Sequence, residues 1–186
     1  MDHDLWEWQH INTQIIDLPS GDLQWKIYYS KIPGRKHWLG IGVDPGRNFG
    51  ICTLGGREAW VFSGTLPKED KKKKWRYGVA AFNLMQKKET YYGKGEAVVE
   101  GAAHSQQYGQ SDLGHIRMGF TLGLHHAGHP VDIIAPNTIR SQALGKGNLG
   151  GLEVWPEIDH NAGDAVACAL YAAGLRKDQV EGSHLT

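Results

Sequence analysis

Apolar residues recur along this chain with two periods, and the change from one to the other sets out its elements. Two apolar runs, Trp38 to Val43 and Phe49 to Leu54, are separated by Asp44-Pro45-Gly46-Arg47-Asn48. Short apolar runs bounded by turn residues predict strands buried on both faces. Strands are therefore expected over residues 38–44 and 48–55, and a third over 58–64 after the Gly55-Gly56 hairpin signal. Ahead of them, Thr13 to Leu18 and Leu23 to Ile32 flank the polar turn Pro19-Ser20-Gly21-Asp22, with Trp25, Ile27 and Tyr29 alternating. This pattern predicts a leader hairpin within residues 1–37. Trp6 and Trp8 are expected to pack on the core or on a partner chain.

Beyond the meander the period lengthens to that of a helix. Lys68 to Tyr91 reads as a helix with Trp75, Val79, Phe82 and Met85 or Gln86 on its core stripe and the lysines largely elsewhere. Ala97-Val98-Val99, between Gly95 and Gly101, predicts a buried central strand that ends on Glu100. Ser111 can cap a helix running to about Ala127, with Leu113, Ile116, Phe120 and Leu124 buried and Gly119 and Gly123 admitting a second helix. Val131 to Ala135 predicts another buried strand, parallel to its neighbour because a helix crosses between them. A short helix after Pro136 carries Arg140, and Gly145 to Gly151 reads as a mobile loop. The last helix is expected from near Asn161 to Gly174, its many alanines allowing it to lie close to the sheet. Residues 38–178 would form the α/β domain and 179–186 a tail.

Composition changes this picture in three respects. A net charge of zero argues against a uniformly basic nucleic-acid binder, but residues 26–94 hold fifteen Lys and Arg against five Asp and Glu. Such a region, facing acids elsewhere, suits a protein that holds a polyanion over a metal site; a solvated helix face would give the same count. Cys52 and Cys168 lack metal-ligand spacing and are expected to be small buried residues. No apolar run reaches the roughly eighteen residues of a membrane span, and the start of the chain is not that of a signal peptide, so a cytoplasmic protein with no membrane partner is expected.

The candidate chemistry lies in three carboxylates. Asp44 ends the first strand of the meander, Glu100 ends the central strand, and Asp164 opens the last helix. Taken singly, Asp44 could cap its own Asp-Pro-Gly turn and Asp164 could serve the N-terminus of its helix. Taken together, they could converge beyond the strand ends of an open mixed sheet. Like charges so close repel unless a divalent cation neutralises them, which makes Mg²⁺ or Mn²⁺ the simplest ligand, with two ions able to clamp a phosphodiester.

The stretch Leu39-Gly40-Ile41-Gly42-Val43-Asp44-Pro45-Gly46-Arg47-Asn48-Phe49-Gly50 resembles the opening strand of the RuvC-type Holliday junction resolvases, within the ribonuclease H-like superfamily. The resemblance continues through Ala97-Val98-Val99-Glu100, Gly114-His115-Ile116-Arg117, Pro130-Val131, Pro136-Asn137-Thr138-Ile139-Arg140 and Asp164-Ala165-Val166-Ala167. It implies an α/β, ribonuclease H-like fold with a five-stranded mixed sheet flanked by helices, to which the leader hairpin is extra. It also implies a homodimer and magnesium-dependent paired nicking of four-way DNA junctions. By it, Asp44, Glu100 and Asp164 are metal ligands, and Arg140 and Lys146 contact the DNA backbone.

The sequence departs from that pattern in its extra leader, in a shorter stretch between Gly145 and Asp164, and at two residue positions. Where the family has Asp or His three residues before the last Asp, this chain has Asn161, a weak neutral oxygen donor; Asp159 and His160 stand beside it, and His160 would share the face of Asp164 if the helix starts early. The family's aromatic wedge is replaced by Ala103, with Tyr108 as a substitute for stacking on a base at the branch point. The expectation is a dimeric endonuclease for branched DNA, with water as nucleophile, no nucleotide cofactor, and Arg47, Lys71, Lys72, Lys73, Lys74 and Arg140 neutralising phosphates. The alternatives are a non-catalytic branched-DNA-binding module of the same fold, or a nuclease acting on flaps, forks or hybrids. A phosphotransferase of the actin and sugar-kinase superfamily also opens with an Asp-x-Gly turn, but that fold needs two such domains and this chain is too short for both.

Overall fold

The computed structural model describes residues 6–19, 21–32, 38–69, 71–87, 95–102 and 110–177. Its strands are β1 (Gln9–Ile16), β2 (Leu23–Lys31), β3 (Trp38–Asp44), β4 (Asn48–Gly56), β5 (Glu58–Thr65), β6 (Glu96–Glu100) and β7 (Val131–Ile134). They form one mixed sheet in the order β1-β2-β5-β4-β3-β6-β7. β6 runs parallel to both β3 and β7, and the remaining pairs are antiparallel. The last five strands of that order, β5-β4-β3-β6-β7, make the five-stranded mixed sheet expected from the sequence. The leader hairpin extends it to seven, β2 pairing with β5 from Trp25 opposite Gly64 to Lys31 opposite Glu58.

Helices cover both faces. On one face α1 (Arg76–Met85) and α2 (Gln110–His126) bury Phe120, Leu124 and Leu84 against Ile41, Val43 and Phe49. On the other, α3 (Pro136–Leu144), α4 (Gly151–Val154) and α5 (His160–Ala172) pack over Cys52, Leu54, Val61 and Val98. Trp6 and Trp8 join this second core, Trp6 stacking on Trp155 with ring centroids 5.7 Å apart. Both cysteines are free and buried, as their spacing suggested. Among the described residues no helix is long and apolar enough to cross a membrane.

Two close approaches depend on glycine. A side chain at Gly42 would run into the backbone of α5 at Ala165 and Ala169 and come within 2.7 Å of the Cβ of Cys168. The alanine-rich helix thus lies against β3 backbone to backbone. Gly78 of α1 and Gly119 of α2 meet in the same way, so the second close helix expected beside Gly119 is α1.

Several expected boundaries shift. Within the span expected to form one helix from Lys68 to Tyr91, a turn of 3-10 helix at Lys71–Lys73 precedes α1, and residues 88–91 lie outside the described part. The buried face of α1 is Tyr77, Ala80, Ala81, Leu84 and Met85, whereas Trp75 and Val79 are 53% and 43% exposed. The expected stripe is therefore corrected in part: Met85 is buried, but Trp75 is the N-cap outside α1 and Val79 faces outward. Ser111 is inside α2 rather than capping it. β7 is an edge strand with Asp132 and Ile133 exposed, since it has a neighbour on one side alone. The glycine-rich stretch ends in α4, whose Gly151 packs on Gly163 of α5.

Candidate active site

β3 and β6 lie side by side in parallel, Val43 opposite Val99, so the next residue of each, Asp44 and Glu100, stand together at the same end of the sheet. Residues two apart on a strand share a face. Asp44 therefore projects on the side of Gly42, toward α5, and Glu100 on the side of Val98, which belongs to the same core. α5 supplies Asp164 from its second turn, with a side chain 3% exposed. The Oδ1 of Asp164 accepts the amide of Gly151 at 2.8 Å. Its Oδ2 lies 3.1 Å from Nη2 of Arg140 and 3.2 Å from Nε2 of His160. The same Nη2 stands 3.9 Å from Oε2 of Glu100.

The electrostatics follow from crowding carboxylates in a poorly hydrated crevice. Burial first, then the charges of Glu100 and Asp164, hold Asp44 well above the usual carboxylate range, with Arg140 opposing. Glu100 is pushed up from its usual 4.5 to about 7, by burial first and then by Asp164, with Arg140 and Arg117 opposing. Both cysteines are raised well above their ordinary values by burial, which makes them poor nucleophiles.

Of the expected fourth-ligand candidates, His160 begins α5 and meets Asp164 one turn on, because the helix starts one residue earlier than expected. Asn161 is half-buried, its carbonyl lying against Gly50. Asp159 is occupied as the N-cap. It accepts the amide of Ala162 at 3.0 Å, the hydroxyl of Ser63 at 2.5 Å and the phenol of Tyr28 at 3.3 Å. Tyr28 is pushed up to about 12, by burial first and then by the charge of Asp159.

The expected phosphate contacts differ in exposure and in partners. Arg47, Lys72, Lys73 and Lys146 are exposed, Arg47 also donating to the carbonyl of Leu66 at 3.4 Å. Lys74 is tied to Asp112 of α2 at 2.5 Å. Arg140 stands among the carboxylates, which was not expected of a residue assigned to the DNA backbone. Tyr108 and the side chain of Lys71 lie outside the described residues.

No family model matches the chain, and no curated protein does. Solved structures do match. The structure of Thermus thermophilus RuvC aligns over 72% of this chain and 92% of its own, at 20% identity and a TM-score of 0.49. That of T. thermophilus RuvC in complex with a Holliday junction substrate aligns over 80% and 96%, at 18% identity and the same TM-score of 0.49.

Whether these residues suit a divalent cation has two answers. Their chemistry suits one: three carboxylates offer hard oxygen donors, and the raised Asp44 and Glu100 are groups whose ionised forms a cation would stabilise. Their placement is different, since among the described residues no three His, Cys, Asp or Glu side chains are set to hold a metal ion. The Arg140 guanidinium now pairs with Glu100 and Asp164.

Sequence reasoning missed three participants, Arg117, Tyr28 and Ser63. Arg117 of α2 donates through Nε to the carbonyl of Glu100 at 2.9 Å and so ties the end of β6 to the helix. Its place in Gly114-His115-Ile116-Arg117 was visible, its target was not. Asp159 was visible as an acid near Asp164, but Tyr28 and Ser63 reach it from strands 131 and 96 residues away in sequence.

Proposed function

We propose that this protein is a divalent-metal endonuclease that cuts branched DNA, four-way junctions above all, as a homodimer with water as the nucleophile. The observation that carries the proposal is the meeting of Asp44, Glu100 and Asp164 at one end of the sheet, where burial and mutual repulsion raise the first two. Mg²⁺ or Mn²⁺, held by these three with His160 and Asn161 as further donors, would polarise the phosphodiester and acidify the attacking water, two ions sharing those tasks.

The chain's own groups do the positioning. Gly151 fixes one oxygen of Asp164 through its amide, and Arg117 fixes the end of β6 that carries Glu100. Arg47, Lys72, Lys73 and Lys146 are exposed, and with Lys71, Lys74 and Arg140 they would neutralise phosphates, so affinity falls steeply with salt. Tyr108 is assigned to stacking at the branch point. Support for the dimer comes from α1 and α2: Trp75 at the N-cap of α1, Val79 of α1, and Met118 and Leu122 of α2 are 53%, 43%, 53% and 51% exposed. Phe82 and His126 touch across the two helices, with ring centroids 5.8 Å apart, so these faces adjoin. An apolar face of this kind marks an interface.

The test is cleavage of a synthetic four-way junction with Mg²⁺ or Mn²⁺, comparing the wild type with Asp44→Asn. The wild type should nick paired strands and the variant should not. Equal cleavage by both, or none by either across several metals, would refute the assignment. A second reading, a protein that binds junctions without cutting them, is favoured by the absence of three chelating side chains among the described residues. It gives junction binding with no nick and no stabilisation by Mg²⁺.

A further inference from the structure

Arg140 stands where a cation would be expected to act. We propose that its guanidinium is a built-in counter-ion that competes with the divalent cation for Asp164 and Glu100, and that its displacement hands the same guanidinium to the DNA phosphate. The proposal rests on the metal-dependent reading above.

Three observations point to an exchangeable guanidinium. One nitrogen, Nη2, reaches both acids, at 3.1 Å from Asp164 and 3.9 Å from Glu100, so one side chain occupies the space between them. The Nε of Arg140 is buried and finds no hydrogen-bond partner among the described residues. A buried donor left unmade weakens the arrangement that holds it. Finally, Asp164 has separate tethers on its two oxygens: Gly151 holds Oδ1, while Arg140 and His160 both approach Oδ2. Oδ2 can therefore change partners while the carboxylate keeps its orientation.

The backbone under Arg140 is fixed on either side. α3 is anchored by the buried Ile139 and Ala143, begins with Pro136 at its first turn and ends at Gly145 with φ of 80°. The exchange is then a movement of the side chain alone. Arginine stays protonated at any ordinary pH, so it leaves the acids by displacement and not by losing its charge. Once displaced it remains a planar donor suited to phosphate, beside the acids that the cation has taken over. Metal loading and phosphate binding are thereby coupled in one direction: each favours the displaced arginine.

The experiment measures Mn²⁺ binding to the full chain without DNA, by titration calorimetry and by the Mn²⁺ paramagnetic resonance signal. It compares the wild type with Arg140→Met, Arg140→Gln and Arg140→Lys, each checked by melting in chelator. Removing the positive charge should tighten Mn²⁺ binding by about tenfold or more, given the strength of a charge at this distance. Arg140→Lys should stay within about twofold of the wild type, because it keeps the competing charge. Junction cleavage should fall in Arg140→Met and Arg140→Gln despite the tighter metal. Equal or weaker binding by whichever neutral variant folds would overturn the counter-ion role alone, as would tightening of the lysine variant to the same degree. Absence of Mn²⁺ binding in every form would overturn the metal reading and this proposal with it.

Discussion

Replacing Glu100 by Gln should make the metal-free protein more stable while abolishing the proposed junction cleavage. The folded-state pKa of Glu100 is raised to about 7 from 4.5. A raised pKa means that the folded chain binds the proton more tightly than the unfolded chain does. Its contribution to stability is therefore fully present below pH 4.5 and lost as pH rises through about 7. At pH 8 the ionised carboxylate costs the fold about 3 kcal/mol, at roughly 1.4 kcal/mol per unit. At pH 5 the same calculation leaves less than about 1 kcal/mol. Glutamine keeps the shape, does not titrate, and leaves Arg140 its shorter contact of 3.1 Å to Asp164. In chelator at pH 8 the Glu100→Gln protein should melt roughly 6 to 12 °C above the wild type, and the gap should narrow to a few degrees at pH 5. Thermal melts of both proteins across that range decide it. A variant that melts at or below the wild type at pH 8, or a gap that does not change with pH, would show that Glu100 is not held under the strain described.

Other outcomes follow from the packing and the caps. Gly42→Ala should lower stability by about 3 kcal/mol or more in denaturant melts, because the added carbon meets the backbone of α5 and not a side chain that can turn aside. The phenol of Tyr28 should ionise at about 12 in an absorbance titration, and Asp159→Asn should bring it part of the way back toward 10. As a raised pKa, the Tyr28 contribution to stability is present below pH 10 and lost as pH rises through about 12. Leu122→Glu on the exposed face of α2 should turn the proposed dimer into a monomer in sedimentation without lowering the melting temperature of the isolated chain.

What could be read from the sequence was what depends on neighbours in the chain. The apolar runs on either side of Asp44-Pro45-Gly46 identify β3 and β4, and Ala97-Val98-Val99 identifies β6, because a buried strand needs an unbroken apolar segment. From these it follows that Asp44 and Glu100 end strands, and the parallel register of β3 and β6 then puts them together. What could not be read depends on approach in three dimensions. α1 begins only at Arg76 and meets α2 through Gly78 and Gly119 with Tyr77, Ala80, Ala81, Leu84 and Met85 inward, so Trp75 and Val79 stand outside although their spacing fits a core stripe. The pairing of Arg140 with two acids, and that of Asp159 with Tyr28 and Ser63, join residues too far apart in the chain for any local pattern to register.

The bond from Tyr28 to Asp159 also bears on how portable this domain is. Because the leader hairpin both seals the β5 border of the sheet and braces the mouth of the helix that bears Asp164, a fragment begun at β3 would carry every acid and still lack their scaffold. Grafts, fusions and minimal versions of the protein should therefore be cut ahead of Trp6, not at β3.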